Sequence, residues 1–482
     1  MLNSFIYSRV RQILPFNLTD EQANALHGMV NFITGQEQNK VFLLKGYAGT
    51  GKSSLVGGLI KVLNEMKQKM VLLTPTGRAA KIFSAYADLP AYTIHRKIYR
   101  QQSLFVNSFS LSENLHRDTL FLVDEASMIA NESDVILFGS GCLLDDLIQY
   151  VYSAKGCRLL LIGDPAQLPP VGQILSPALD ADMLAGYGLN VEEFWLTEVV
   201  RQAHCSGILS VASDIRMAIN CEEVYDYPRI DCRKKSDVIR LSAEELVETL
   251  RTCYENDGPE HTLVVCRSNK SAKIYNQGIR GRILYREEEL ESGDRLIVVR
   301  NNYFWSDQSN PDHFIANGDI VELVRIKHSG EMYGFHFADV TLRFIDYELE
   351  LDAKILLETL HTDVASLTNE MRRQLYETIY ADYALQYRTK KEIYEQMKRD
   401  PYLNALQVKY AYALTCHKSQ GGQWRNVFVD QGYLTEDMLG EDYYRWLYTA
   451  FTRATKKLYL VNFSDECFVL ANSSEQKEEE DV

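Results

Sequence analysis

Short unbroken apolar runs, each ended by a polar turn and then by a stretch of helical periodicity, recur along this chain at Val41–Leu44, Met70–Leu73, Phe121–Val123, Leu159–Ile162 and Leu263–Cys266. Such a run is the pattern of a strand buried on both faces, and strands of that kind lie in parallel sheets covered by helices. The repeat therefore predicts an α/β protein built from strand–turn–helix units, with Phe194–Leu196 closing the first sheet. The pattern changes in three places. Gln102–Leu111 alternates in two short runs about a polar turn and predicts an inserted β-hairpin. From Leu296 to Phe344 the alternation returns in several short runs, as in a small antiparallel barrel. Leu357–Asp400 is helical, with Tyr376, Tyr380, Tyr383 and Tyr387 on one face, which predicts a core stripe between packed helices. Arg388, Lys390, Lys391, Lys398 and Arg399 there form either a solvated face or a nucleic-acid surface.

The turns carry the chemistry. After the first strand comes Gly46-Tyr47-Ala48-Gly49-Thr50-Gly51-Lys52-Ser53, and then a helix. Glycines let backbone N–H groups curl around phosphate oxygens, and the helix N-terminus adds partial positive charge. Lys52 then reaches the β- and γ-phosphates and Ser53 ligates Mg²⁺. A bare glycine turn with a solvated lysine would not require a strand before it and a helix after it. Phe121–Val123 delivers two adjacent carboxylates: Asp124 to hold Mg²⁺ through water and Glu125 to deprotonate the attacking water. The proline-locked Gly163–Gly172 loop projects Gln167 towards the γ-phosphate. Arg201 is a candidate for the same phosphate, and Arg453, on a helix in a second sheet that has no phosphate loop, more plausibly serves the nucleotide of the first domain.

Other polar positions have two readings each. Thr19 or Asp20 suits a helix cap, whereas Gln22 has the donor and acceptor needed to read an adenine edge. Thr76, Arg78 and Lys81 follow a strand end and suit either a capped loop or a phosphodiester backbone. Thr93 and His95 form a similar cluster, as do Thr415, His417 and Lys418. Phe105 and Phe109 near the hairpin tip either stack on bases or pack the hairpin down.

Composition narrows the classes. At 482 residues the chain has room for two or three domains, and its 46% hydrophobic and 24% charged content is that of a soluble globular protein. No apolar run is long enough to span a bilayer and the first residues have no signal pattern, so a cytoplasmic address and no membrane partner are expected. Nine cysteines are scattered without metal-ligand spacing. A net charge of −15 argues against indiscriminate coating of nucleic acid, though a narrow basic channel is compatible with it. Part of that charge sits in Glu475–Asp481, read as a disordered acidic tail and a docking candidate for a protein partner.

In order along the chain stand Gln22, GYAGTGKS, LLTPTGRAAK, TIHR, VDEAS, GDPAQLPPVG, LTEVVRQ, ALTCHKSQGGQW and YTAFTRA. This series resembles the superfamily-1 helicases, in their RecD-like and phage Dda-like branch, over nearly the whole chain. The resemblance implies two RecA-like P-loop domains with parallel sheets, at 1–220 (hairpin pin at about 100–117) and at 221–298 with 405–470. It also implies an SH3-like barrel with a helical extension at 299–404, before the tail at 471–482. ATP is expected at Gln22, Gly46, Tyr47, Ala48, Gly49, Thr50, Gly51, Lys52, Ser53, Ser54, Gln420 and Gly421, with Mg²⁺ at Ser53 and Asp124. Lys52, Glu125, Gln167, Arg201 and Arg453 would serve hydrolysis, and Thr76, Arg78, Thr93, His95, Phe105, Phe109, Thr415, His417 and Lys418 would contact DNA. The implied function is an ATP-driven DNA helicase moving 5′ to 3′ on single strands and opening tailed duplexes, as a monomer, in DNA repair or recombination. An RNA-directed helicase, an ATP-driven switch on nucleic acid and a P-loop small-molecule kinase are the rivals. The kinase leaves the second domain's arginine and His-Lys loop unexplained.

Overall fold

The computed structural model describes residues 2–103, 106–131, 139–200, 206–233, 235–302, 304–305, 315–345, 349–364 and 366–469. Phe105, Arg201 and the acidic tail lie outside the described residues. In chain order the strands are β1 Lys40–Gly46, β2 Met70–Thr74, β3 Ala91–Thr93, β4 Tyr99–Ser103, β5 Val106–Leu111, β6 Leu120–Val123, β7 Arg158–Gly163 and β8 Asn190–Leu196. They continue with β9 Val238–Leu241, β10 Thr262–Cys266, β11 Arg295–Val298, β12 Ile320–Met332, β13 Phe335–Phe344 and β14 Leu349–Leu356. The last four are β15 Leu406–Tyr410, β16 Ala413–Thr415, β17 Trp424–Asp430 and β18 Ala454–Val461. The chain divides into two compact units. One comprises Met1–Pro165, Pro169–Val199 and Lys273–Tyr412; the other comprises Ala166–Leu168, Val200–Ala272 and Ala413–Val482.

The first unit has a parallel sheet in the order β3-β2-β6-β7-β1-β8. Alternation within its apolar strands divides the side chains between two cores. Phe42, Leu44, Leu160 and Ile162 face one helix layer, and Val41, Leu43, Leu159 and Leu161 face the other. Both faces are dry, so the central strands are apolar throughout. The hairpin β4–β5 is present, with Gln101 opposite Phe109, and Phe109 packs against the second of these cores.

The same unit contains a closed barrel, β11-β12-β13-β14-β15. Its first and last strands fall on either side of the expected 299–404 range, because β11 pairs with both β12 and β15 to close the ring. The apolar stretch Val408–Thr415 is divided between two strands: β15 belongs to the barrel and β16 to the other unit's sheet. The tyrosine stripe also differs from expectation. On the helix Asn369–Gln386 the buried residues are Leu375 and Ile379, which join Ile393 and Met397 in a core beneath the barrel strands. Tyr380, Tyr383 and Tyr387 border that core and Tyr376 is exposed. A phenol has a polar end to satisfy, and a seam between core and water does that: Tyr383 donates to Asp400 at 3.0 Å.

The second unit has a parallel sheet in the order β16-β10-β17-β18-β9. It begins at Val200, ahead of the expected boundary at 221, because the helix Gly207–Asn220 packs on the helix Glu441–Phe451 of this unit. The architecture is α/β, with two RecA-like parallel sheets, a hairpin and a small closed barrel. Among the described residues no helix is long and apolar enough to cross a membrane.

Candidate nucleotide and nucleic-acid sites

The glycine-rich turn joins β1 to the helix Lys52–Glu65. Gly49 and Gly51 hold φ values of 79° and 82°, left-handed conformations that a side chain enters only with strain. A Cβ on Gly46 would lie 3.0 Å from both Lys52 Cδ and Leu196 Cβ, so the lysine stem runs directly against the strand end. Fully buried Thr50 donates its hydroxyl to the Tyr47 carbonyl at 2.8 Å. Lys52 Nζ donates to the Gly46 and Tyr47 carbonyls at 2.6 and 2.8 Å. The ammonium thus lies over the loop at the start of a helix whose N-cap makes no side-chain hydrogen bond, and a helix N-terminus with a nearby cation is the arrangement that binds phosphate.

Gln22 takes part in a helix cap. Thr19 caps the helix Asp20–Thr34, and Gln22 closes a capping box with it. Its Oε1 accepts from the Thr19 N–H at 3.1 Å, and its Nε2 donates to the Thr50 carbonyl at 2.9 Å. With 1% of its surface exposed, Gln22 braces the phosphate loop from beneath.

The acidic pair follows β6. Glu125 is left-handed, with φ 54°, a conformation costing a non-glycine residue about 1–2 kcal/mol. Its N–H donates to Asp124 Oδ1 at 2.8 Å, and the Tyr86 hydroxyl donates to Oδ2 at 2.6 Å. Burial pushes the Asp124 carboxyl above its usual range, opposed by those two hydrogen bonds and by the Lys52 charge. Burial, and next the Asp124 charge, pushes the Tyr86 phenol well up. Tyr86 carries no sequence signal, because its partners lie far from it along the chain.

The remaining candidates of the first unit lie at strand ends. Thr76 caps the helix Gly77–Ala87 and accepts from the Ala79 N–H at 3.3 Å, and Arg78 is half-buried beside it. Thr93, 5% exposed, caps the next helix by accepting from the Arg96 N–H at 3.3 Å. Burial lowers the His95 pKa to about 4, which makes its imidazole neutral at physiological pH. The folded state then resists protonation that the unfolded chain accepts near 6.5. Stability should therefore fall as pH drops from about 6.5 towards about 4. The thermal midpoint of His95→Gln should fall less over that window; parallel profiles for variant and wild type would refute the assignment.

In the second unit Arg453 is 3% exposed. Its Nε donates to the Thr449 carbonyl at 2.9 Å, Nη1 to the Gly422 carbonyl at 3.3 Å and Nη2 to Thr452 Oγ1 at 3.1 Å. Among the described residues no carboxylate pairs with it. Gln167 is 6% exposed, and among the described residues its Oε1 has no hydrogen-bond partner. Its segment is held at Leu168, whose N–H donates to Thr449 Oγ1 and whose carbonyl accepts from Gln420 Nε2, both at 2.8 Å. That anchoring role for Thr449 and Gln420 has no local sequence signal. Thr415, His417 and Lys418 are half-buried at the end of β16, and burial lowers the His417 pKa.

Residues 17–227 match the model of an AAA domain, and residues 410–461 match that of a UvrD-like helicase C-terminal domain. A relative in Acanthamoeba polyphaga mimivirus, uncharacterised protein R530, is 21% identical over 91% of this chain and 98% of its own length. The ATP-dependent RecD2 DNA helicase of Deinococcus radiodurans is 25% identical over 59% of this chain and 36% of its own length. The structure of a Bacteroides Pif1 helicase with ADP-AlF3 and single-stranded DNA aligns over 96% of this chain and 97% of its own, at 15% identity and a TM-score of 0.47. With an AAA domain, a UvrD-like helicase C-terminal domain and the ordered motifs from Gln22 to Arg453 on one polypeptide, the chain is a superfamily-1 helicase, an ATP-hydrolysing enzyme, of the RecD-like branch.

Proposed function

We propose that this helicase uses Mg-ATP to move 5′ to 3′ along single-stranded DNA and to open duplexes that carry a 5′ tail, in DNA repair or recombination. The observation that carries the chemistry is the gathering of Lys52, Ser53, Asp124 and Glu125 at the carboxyl edge of one parallel sheet. Lys52 and the first-turn amides bind the phosphates. Glu125, aimed by its left-handed backbone, takes the proton of the attacking water. Arg453 supplies charge to the transferring phosphoryl group, and the unpaired oxygen of Gln167 orients the water.

The donor set fits magnesium, a hard cation that takes oxygen ligands and keeps several waters. The Asp124 carboxylate accepts from the Tyr86 hydroxyl at 2.6 Å, and Ser53 lies near that hydroxyl. Ser53 and Asp124 would hold the ion, which when bound neutralises charge developing on the phosphates. Thr76, Arg78 and His95 in the first unit, and Thr415, His417 and Lys418 in the second, contact the strand. Neutral His95 does so by hydrogen bonding or stacking.

The test is ATP turnover with and without single-stranded DNA or RNA, together with unwinding of duplexes bearing a 5′ or a 3′ tail. Strong stimulation by DNA and activity on the 5′-tailed duplex alone are expected. Preference for RNA would reassign the substrate, activity on the 3′-tailed duplex would reverse the direction, and turnover indifferent to both polymers would leave an ATP-driven switch.

A further inference from the structure

Tyr86 stands inside the nucleotide site and belongs to none of the motifs that define it. It lies near the end of the helix Gly77–Ala87, its ring stacked on Phe83 with centroids 5.0 Å apart. Its backbone presses against the phosphate-loop helix, where a Cβ on Gly57 would come within 3.0 Å of the Tyr86 carbonyl oxygen. The ring is thus fixed from two sides. Its hydroxyl donates to Asp124 Oδ2 at 2.6 Å, and Ser53 lies near the same hydroxyl. The other Asp124 oxygen accepts from the Glu125 N–H at 2.8 Å.

From this geometry we infer that Tyr86 is a positioning residue for the magnesium site: its phenol holds Asp124 and fixes the carboxylate's rotation before the cation arrives. The inference rests on the reading of the phosphate loop as a Mg-ATP site. A carboxylate has about four lone-pair positions. The phenol and the Glu125 amide occupy one on each oxygen, so one on each is left for the cation or its waters. Without the phenol, only the Glu125 amide sets the rotation of the carboxylate. Carboxylate ligands that lose such a partner typically bind metal about 10–100-fold more weakly. If the phenol instead competed with the cation for Asp124, removing it would strengthen binding, so the sign of the effect decides between support and competition.

The experiment is a titration of the full chain with MgCl₂, read by the binding of a fluorescent ADP analogue, with EDTA giving the metal-free baseline. In Tyr86→Phe, which keeps the ring against Phe83, the magnesium midpoint should rise about 10–100-fold, with the EDTA baseline affinity and the melting temperature of the wild type. That baseline excludes a folding defect, because a misfolded phosphate loop would bind no nucleotide at all. A midpoint equal to or below the wild-type value overturns the inference. Wild-type binding indifferent to magnesium overturns it together with the Mg-ATP reading. Wild-type turnover without stimulation by DNA sinks the helicase reading alone and leaves the role of Tyr86 standing.

Discussion

Arg453→Ala should lower ATP turnover by ~10³-fold or more, the usual loss when an arginine that stabilises a transferring phosphoryl group is removed. Nucleotide binding should remain measurable, because the phosphate loop is left intact. The burial of the side chain carries the argument. A guanidinium with 3% of its surface exposed has lost most of its hydration, and its acceptors are two carbonyls and a hydroxyl, all neutral. Such contacts orient the group and leave its charge uncompensated, which is costly unless an anion completes the shell. Arg453→Lys should recover little of the loss, because a point charge on a flexible stem cannot reproduce the planar fork. The check is kcat with saturating single-stranded DNA, beside the affinity for a fluorescent nucleotide. Turnover in the alanine variant within a few-fold of wild type would remove Arg453 from the chemistry.

What could be read in the sequence is what contiguous residues decide. Val41–Leu44 and Leu159–Ile162 are apolar throughout because both faces of the sheet are covered. The phosphate loop needs only its own glycines and the helix after it. Where a contact joins distant positions, the sequence is silent. Tyr86 meets Asp124 through the packing of its helix, and Leu168 meets Gln420 and Thr449 through a loop. Gln22 meets the Thr50 carbonyl from a position 28 residues earlier. Element boundaries failed where a run of apolar residues serves two sheets. Nothing in Val408–Thr415 marks the break at Ala411–Tyr412, which is set by the Tyr412 hydroxyl bonding Asp294 and its N–H bonding Asn276. The tyrosine stripe had the right period for a helix, but a phenol's polar end draws it to the edge of a core, and Leu375 and Ile379 take the interior.

Asp294→Ala should destabilise the first unit by about 3–5 kcal/mol, the usual cost of stripping one partner from a buried ion pair. Asp294 has no exposed surface, yet its carboxylate is fully subscribed. Arg280 donates to both oxygens at 3.0 and 2.9 Å, Arg286 donates at 2.6 Å, the Tyr412 hydroxyl at 3.0 Å and the Glu291 N–H at 2.8 Å. Removing it leaves two guanidinium groups side by side, one of them 7% exposed, without the charge that keeps them there. The cluster also fixes the end of the barrel, since Tyr412 is the last residue of the first unit before the chain enters β16. Asp294→Asn keeps acceptor and volume while losing charge, and so should fall between the alanine variant and wild type. The measurement is the urea midpoint of the first unit followed by circular dichroism, because two units need not unfold together. A wild-type midpoint for Asp294→Ala would mean that water reaches the arginines freely once the carboxylate is gone, and that the cluster specifies the chain's path at this junction without stabilising it.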